Sequence, residues 1–217
     1  MKNIKKEIFT PGPLHDYRHR INDELKNIVQ TGDIFFRLGK QSFLGIPFEK
    51  IVAKITNSKY SHASIAFVEN GEINLIEVND FGTTKINIKD WCDFAATTDF
   101  SVWRLDLNQT QINKLTEVIK EFLELDPDYD FTFDSDNKFY CTSSVCYLFK
   151  KAEIPIAEPH YLKELVGKSH YLLIKIINFI VKLISGKGIP TNHPLYFVGN
   201  SEKGIMSTPG LKKVWST

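Results

Sequence analysis

The sequence predicts an α+β fold in which an antiparallel sheet packs against helices, and three observations support this class. Short runs of β-forming residues cluster in the first half of the chain, and an Asn70-Gly71 turn joins two of them. Helical patterns dominate later. With 217 residues and 42% hydrophobic content, the chain can bury a sizeable core, so we expect a single domain over residues 1–217.

Helices and strands can be assigned in order along the chain. Apolar residues at helical spacing predict helices over 14–30, 48–58 and 108–125, the last of them capped by Asn108 or Thr110. Three further β-rich runs predict strands in the stretches TGDIFFRLG, TTKINI and FSVWRL. The strands are then concentrated before the last long helices, as an α+β fold requires.

The turn at 70–71 predicts a β-hairpin, and its register follows from the turn itself. A two-residue turn pairs Glu69 with Glu72, so the numbers of facing residues sum to 141. Every residue of the first strand therefore has a predicted partner on the second strand.

This register places four polar residues on one face of the hairpin. Ser64 faces Glu77 and His62 faces Asn79. Glu77 is diagonal to His62, about 7 to 8 Å away between backbones, within reach of a glutamate side chain. An unpaired carboxylate between apolar residues is costly to bury, so Glu77 needs a partner. Asn79 is the alternative partner for the imidazole, because amides orient the base in some cysteine enzymes.

The two cysteines of FYCTSSVCYLFKK differ in position. Cys141 lies in the first turn of a predicted helix, where unpaired N–H groups and the helix dipole favour a thiolate. Cys146 lies about 140° further around the axis at 100° per residue and lacks that help. We expect Cys146 and Cys92 to be small buried apolar residues. Cys141 could be buried in the same way, and a nearby base such as His62 would instead make it a nucleophile.

Composition excludes some partners. The 27 basic and 26 acidic residues leave a formal charge of +1 with no long basic block, so no nucleic acid partner is expected. Three cysteines are an odd number and too few for a disulfide scaffold, which favours a reducing compartment. The basic N-terminus is not followed by an apolar signal segment, so a cytoplasmic location is expected.

No metal or cofactor is expected. His15 and His19 have the spacing of two ligands on one helix face, but a third ligand is not evident. The acidic loop 126–136 lacks the central glycine of a calcium loop.

Residues 171–184 are too few to cross a bilayer, which needs about 20 apolar residues. They predict either a buried helix or an amphipathic helix in peripheral contact with a membrane.

Four short motifs resemble the YiiX-like proteins, a circularly permuted branch of the NlpC-type papain-like cysteine peptidases and amidases, distantly related to lecithin retinol acyltransferase. The motifs are, in order, GDIFFR, SKYSHASIAF, LIEV and YDFTF followed by FYCTSSV. The resemblance implies a permuted papain-like fold with Cys141 as nucleophile, His62 as base and Glu77 as third polar residue. Relatives commonly carry Ser-Glu after the nucleophile, where this chain has Thr142 and Ser143.

The same resemblance implies a catalytic core over residues 31–152, with residues 153–217 as a helical and loop extension of the same domain. The expected activity is that of a thiol hydrolase or acyltransferase that cleaves an amide or ester bond through an acyl-enzyme. The substrate would be a small molecule, a lipid or a peptide: peptides suit the broader group, and lipids suit the acyltransferase relatives and the apolar 171–184 segment. The alternative is a catalytically silent protein that binds a lipid or peptide on the same fold.

Overall fold

A computed structural model describes residues 15–39, 47–79, 81–94, 99–130, 137–161 and 194–217, together with residues 164, 172, 175–176, 178–179, 182–183, 186 and 188. The helices of these ranges are α1 (His15–Leu25), α2 (Phe48–Ile55), α3 (Ile88–Phe94), α4 (Gln109–Leu125) and α5 (Cys141–Lys151). The main strands are β1 (Ile34–Arg37), β2 (His62–Glu69), β3 (Glu72–Asn79), β4 (Gly82–Asn87) and β5 (Phe100–Arg104). Shorter or later strands are β6 (Asp128–Tyr129), β7 (Lys138–Phe139), β8 (His160–Tyr161), β9 (Pro194–Leu195) and β10 (Lys212–Ser216).

Six strands form one sheet in the order β10-β5-β1-β2-β3-β4, and every neighbouring pair in it is antiparallel. The predicted fold class is therefore confirmed. Strand β10, at the far end of the chain, joins the sheet by pairing with β5. The sequence gives little sign of this strand, because KKVWS is short, polar and mostly exposed at a sheet edge.

The hairpin of β2 and β3 has the predicted register. Asn70 and Gly71 have φ values of 53° and 76°, as a two-residue type I′ turn requires. The pairs run from Glu69 with Glu72 to Ile65 with Ile76, so the facing numbers sum to 141 as predicted. Continued beyond this ladder, the alternation of side chains along the two strands places Ser64, Glu77, His62 and Asn79 on the same face of the hairpin.

The sheet is covered on both faces, and alternate residues of each strand enter different cores. Ile34 and Phe36 pack in the core that α4 and α5 complete, whereas Phe35 packs in the core that α1 and α3 complete. Burial on both faces explains why β1 has a continuous apolar run instead of an alternating one. Ser64 and Glu77 alternate in phase with Ala66 and Leu75, so they lie on the α1 and α3 face.

The helix boundaries differ from the predicted ones where local conformation stops the helix. Helix α1 ends at Leu25 instead of 30, and α2 ends at Ile55, two residues before Asn57, which has a left-handed φ of 49°. The capping of α4 resolves the open choice in favour of Asn108. Its side chain accepts from the Gln111 N–H at 3.0 Å, and the Gln111 side chain accepts from the Asn108 N–H at 3.0 Å.

Some predictions fall wholly or partly outside the described residues. These are the side chains of His15 and His19, the loop positions 131–136, and much of the segment 171–184. Within that segment, positions 172, 175–176, 178–179 and 182–183 are described, and all of them are helical. Among the described residues, no helix is both long and apolar enough to cross a membrane.

Candidate active site

The predicted site residues meet at one end of the sheet. In antiparallel order, β1 ends at Arg37, β2 begins at His62 and β3 ends at Asn79, so these residues lie at the same end. Arg37 is the direct cross-strand partner of His62. Helix α5, which packs on β2 and β3, begins with Cys141. The hairpin and the start of α5 thus bring together residues that are far apart in the sequence.

Glu77 is the partner of the His62 ring. The His62 Nε2 lies 3.1 Å from the Glu77 Oε2, and the carboxylate is completely buried. The diagonal reach derived from the hairpin register is therefore present. Asn79, the alternative partner of the imidazole, instead donates its amide to the Glu77 Oε1 at 3.1 Å. It supports the carboxylate that supports the histidine.

Cys141 is the remaining neighbour of His62, and its sulfur acts on the ring at close range, raising the pKa of His62. Because Nε2 faces Glu77, Nδ1 is the ring nitrogen left for the sulfur. Cys141 is half-buried, whereas Cys146 and Cys92 are fully buried, as predicted for those two. Burial raises the pKa of the Cys146 thiol far above its ordinary value, so that sulfur is inert.

The electrostatics hold Glu77 ionised and His62 protonated. Burial would raise the pKa of Glu77, but His62, the Arg37 guanidinium and the hydrogen bonds from His62 and Ser64 lower it well below its usual range. Burial and Arg37 lower the pKa of His62, and Cys141 and Glu77 raise it by more, to about 10. The ring therefore favours its imidazolium form at neutral pH, with the buried Glu77 carboxylate as its acceptor.

Three residues of this site were not assigned to it from the sequence. The Ser64 hydroxyl donates to the Glu77 Oε2 at 2.5 Å, and the Trp91 indole N–H donates to the same oxygen at 3.1 Å. The Arg37 guanidinium lies 3.6 Å from the other oxygen. The hairpin register placed Ser64 opposite Glu77 and His62 within its reach, but the sequence did not indicate that Trp91 and Arg37 also lie beside this carboxylate.

The start of α5 shows what replaces the glutamate that relatives carry. Ser143 is the third residue of the helix, and its hydroxyl accepts the backbone N–H of Tyr140 at 2.9 Å. A glutamate at this position of a capping box makes the same kind of contact, so Ser143 supplies a helix-start contact in this chain. Thr142 donates to the Tyr196 carbonyl at 2.7 Å, and the Tyr196 N–H donates to the Tyr140 hydroxyl at 2.6 Å. The residues flanking Cys141 are thereby fixed to the C-terminal part of the chain.

A thiol at a helix start, beside a histidine and a carboxylate carried on an antiparallel sheet, is the arrangement of the papain-like cysteine hydrolases. Residues 29–197 match the family described as permuted papain-like amidase enzymes, YaeF/YiiX, of the C92 family. This range covers more than half of the chain, and the protein belongs to that family. The resemblance drawn from the four motifs is confirmed, and membership of a cysteine peptidase and amidase family makes the protein an enzyme of this class.

A solved structure and a curated protein are also similar to this chain. The structure is that of the metalloprotein YiiX from Escherichia coli O157:H7, with a TM-score of 0.68, 26% identity, and coverage of 87% of this chain and 97% of that one. The curated protein is the ribosome maturation factor RimM of Buchnera aphidicola subsp. Cinara cedri (strain Cc), 28% identical over 111 residues. That match spans 50% of this chain and about half of the relative, 53%, so it carries no functional argument.

The Escherichia coli protein is described as a metalloprotein, and the described residues of this chain do not assemble a metal site. Among the described residues, no group of three or more His, Cys, Asp or Glu side chains could hold a metal ion. Glu77 contacts the Nε2 of His62 directly at 3.1 Å, so these two side chains bind each other instead of converging on a common ion. No metal-dependent step is therefore derived.

Proposed function

We propose that the protein is a thiol amidase or acyl hydrolase in which Cys141 is the nucleophile, His62 the acid and base, and Glu77 the group that orients the imidazole. One observation carries the proposal: a half-buried thiol stands close enough to an imidazole to raise its pKa, and the Nε2 of that imidazole lies 3.1 Å from a fully buried carboxylate. Nucleophile, base and orienting group in that order are the arrangement that acyl-transfer chemistry uses.

The proposed reaction has two steps. The Cys141 sulfur attacks the carbonyl carbon of an amide or ester, the C–S bond forms, and the C–N or C–O bond breaks as His62 gives its proton to the leaving group. Water then attacks the acyl-enzyme while His62 removes its proton, and the acid and the free thiol are released. The Cys141 backbone N–H belongs to the first turn of α5, where N–H groups lack intrahelical partners, so it can bind the oxyanion.

Thiol labelling tests this assignment without knowledge of the substrate. Iodoacetamide should modify Cys141 far faster than Cys92 or Cys146, with the site of modification read by peptide mass spectrometry. His62→Ala should remove the preference, and Cys146→Ala should leave it unchanged as the matched thiol control. Equal labelling of all three thiols would contradict the triad and favour the catalytically silent binding protein. A panel of amide and ester substrates, with Cys141→Ala as blank, then tests turnover.

For the substrate, we propose a lipid-like amide or ester reached at a membrane surface. Three large apolar side chains of the 171–184 segment are exposed: Leu172 by 70%, Phe179 by 63% and Leu183 by 52%. Each of the three positions is helical, and their separations in the sequence, seven and four residues, are those of side chains on one face of an amphipathic helix. Such an exposed apolar stripe favours the surface-lying helix over the buried one.

Charge favours a bilayer over a second copy of the chain as the partner of this stripe. Residues 163–187 contain five lysines and one glutamate, although the whole chain has a formal charge of only +1. Two such basic segments would repel each other, whereas anionic lipid headgroups complement them. Peripheral membrane contact, like the predicted cytoplasmic location and the predicted NlpC-type relationship, is part of the proposal.

Flotation with lipid vesicles tests the membrane contact. The wild-type protein should float with phosphatidylserine-containing vesicles and less with neutral phosphatidylcholine vesicles. Phe179→Asp combined with Leu172→Asp should abolish flotation. Leu125→Asp is the matched control, because Leu125 is 71% exposed at the end of α4, outside the stripe. A wild-type protein that stays at the bottom of the gradient in both cases rules out this partner.

A further inference from the structure

Arg37 is the feature of this site that the triad does not use. Its side chain is 8% exposed, and its nearest acidic oxygen is the Glu77 Oε1 at 3.6 Å, longer than a hydrogen bond. Its Nε is the buried side-chain nitrogen that has no hydrogen-bond partner among the described residues. Burying an unpaired donor of a charged group is unfavourable, so packing or pairing alone does not account for an arginine here.

The position of Arg37 relative to the triad is fixed by the sheet. It is the direct cross-strand partner of His62, and its guanidinium lies 5.8 Å from the centre of the Trp91 ring. Trp91 in turn donates to the oxygen of Glu77 that faces His62, while Arg37 stands at the other oxygen. The carboxylate thus lies between two cations, one permanent and one that can lose its proton.

We propose that Arg37 is a positioning residue of the reaction. Its permanent positive charge competes with the His62 imidazolium for the Glu77 carboxylate, and this weaker hold makes it easier for the imidazole to transfer its proton to the leaving group. The inference rests on the proposed role of His62 as the acid and base. A carboxylate held by His62 alone would bind the imidazolium more strongly and retain its proton longer. The contacts of Arg37 are with Glu77 and Trp91, and it acts electrostatically on His62, so the proposed effect on the reaction passes through Glu77 and His62.

Three groups act electrostatically on the His62 ring: Arg37 from β1, Glu77 from β3 and Cys141 from α5. Burial and Arg37 lower the pKa of His62, while the other two raise it. The effect of Arg37 is therefore measured most clearly where the sulfur is removed. In Cys141→Ala the pKa of His62 should fall from about 10 to a pH that NMR titration reaches easily.

The experiment compares four proteins in the Cys141→Ala background: Arg37 intact, Arg37→Met, Arg37→Gln and Arg37→Lys. The His62 ring is followed by NMR and assigned with His62→Gln. We expect the titration to move to higher pH by about one unit in the two neutral variants, because a nearby charge shifts a pKa by that order. Arg37→Lys, which keeps the charge, should restore most of the original value. With Cys141 present, Arg37→Met should lower kcat about tenfold with little change in KM.

An unchanged His62 titration in Arg37→Met and Arg37→Gln, accompanied only by a lower melting temperature, would overturn the proposal and leave a packing role. If neither neutral variant folds, Arg37→Lys decides. Its shorter side chain holds the charge farther from Glu77, so the proposal requires a partial upward shift, whereas a packing role requires none. Iodoacetamide labelling of Cys141 reports separately on the triad, so its failure is distinguishable from the failure of this inference.

Discussion

Among the residues that the structure describes, two carboxylates are completely buried, and both lie beside an arginine. Asp33, just before β1, accepts two hydrogen bonds from the Arg104 guanidinium. The Arg104 Nε donates to Oδ1 and the Nη2 donates to Oδ2, both at 2.7 Å. Glu77 instead has Arg37 at 3.6 Å and gives its oxygens to the site residues. The first pair has the geometry of a fork-to-fork ion pair, and the second does not.

The difference shows which pair serves the fold and which serves the site. Arg104 also binds the Ile28 carbonyl, and Asp33 also accepts the Gln30 N–H, so this pair fastens the chain after α1 to β5. Burial still raises the pKa of Asp33, although Arg104 lowers it. The pKa of Glu77 is lowered in spite of equal burial, because His62 and Arg37 act on it together. Only the second arrangement leaves a carboxylate free to hold a histidine.

The largest effect should come from Glu77→Gln. A glutamine keeps the shape but brings an amide donor to a place where Ser64, Trp91 and His62 already donate, and it has no charge to hold the imidazolium. We expect kcat/KM for an activated ester or amide to fall about 10³- to 10⁴-fold.

The matched control for Glu77→Gln is Glu69→Gln, which changes a half-buried carboxylate on the same hairpin that pairs with Lys85. It should retain full activity. Near-normal turnover by folded Glu77→Gln would mean that the two buried carboxylates do not differ in function and that Asn79 or another residue orients the base.

Asp33→Ala should have the opposite outcome: a large loss of stability and no loss of chemistry. Removing one partner of a buried pair leaves the other charge uncompensated, at a cost of about 3 to 5 kcal/mol. Arg104 is 28% exposed and can recover some hydration, so we expect about 3 kcal/mol, measured by urea unfolding. Asp106→Ala, at an exposed position, should change stability by less than about 0.5 kcal/mol. Loss of Cys141 labelling by the folded fraction of Asp33→Ala would contradict the assignment of Asp33 to stability alone.

The sequence predicts the part of the site whose geometry depends on residues that are close together along the chain. The Asn70-Gly71 turn fixes the hairpin register, and the register alone places Glu77 within reach of His62. That Cys141 joins them was implied by the family resemblance, since no local pattern relates residue 141 to the hairpin.

The contributions of Arg37 and Trp91 depend on non-local pairing. Arg37 reaches the site because β1 pairs with β2, and Trp91 because the seven-residue helix α3 packs against β3. Neither contact leaves a periodic signal in the sequence, and α3 is too short for its pattern to be recognised. Strand β10 was not predicted for a similar reason, because among the described residues it pairs with β5 alone, more than a hundred residues earlier.

The smallest effect that we predict is a difference in the free energy of unfolding between two serine-to-alanine variants. One serine hydrogen-bonds a charged group and the other a neutral group. Ser64 and Ser101 are both completely buried on strands; the first donates to the Glu77 carboxylate at 2.5 Å, and the second accepts from the Trp103 indole at 2.8 Å. Ser64→Ala should lower the free energy of unfolding by about 1.5 to 3 kcal/mol, and Ser101→Ala by about 0.5 to 1.5 kcal/mol.

Activity distinguishes the two serine variants further. Ser64→Ala removes one of the donors that position the Glu77 carboxylate against His62, so kcat should fall about tenfold, whereas Ser101→Ala should leave it unchanged. Equal stability losses with unchanged kcat in both would show that Ser64 contributes to the sheet in the way Ser101 does. The carboxylate would then be held by Trp91 and Asn79, whose donors reach both of its oxygens from α3 and β3.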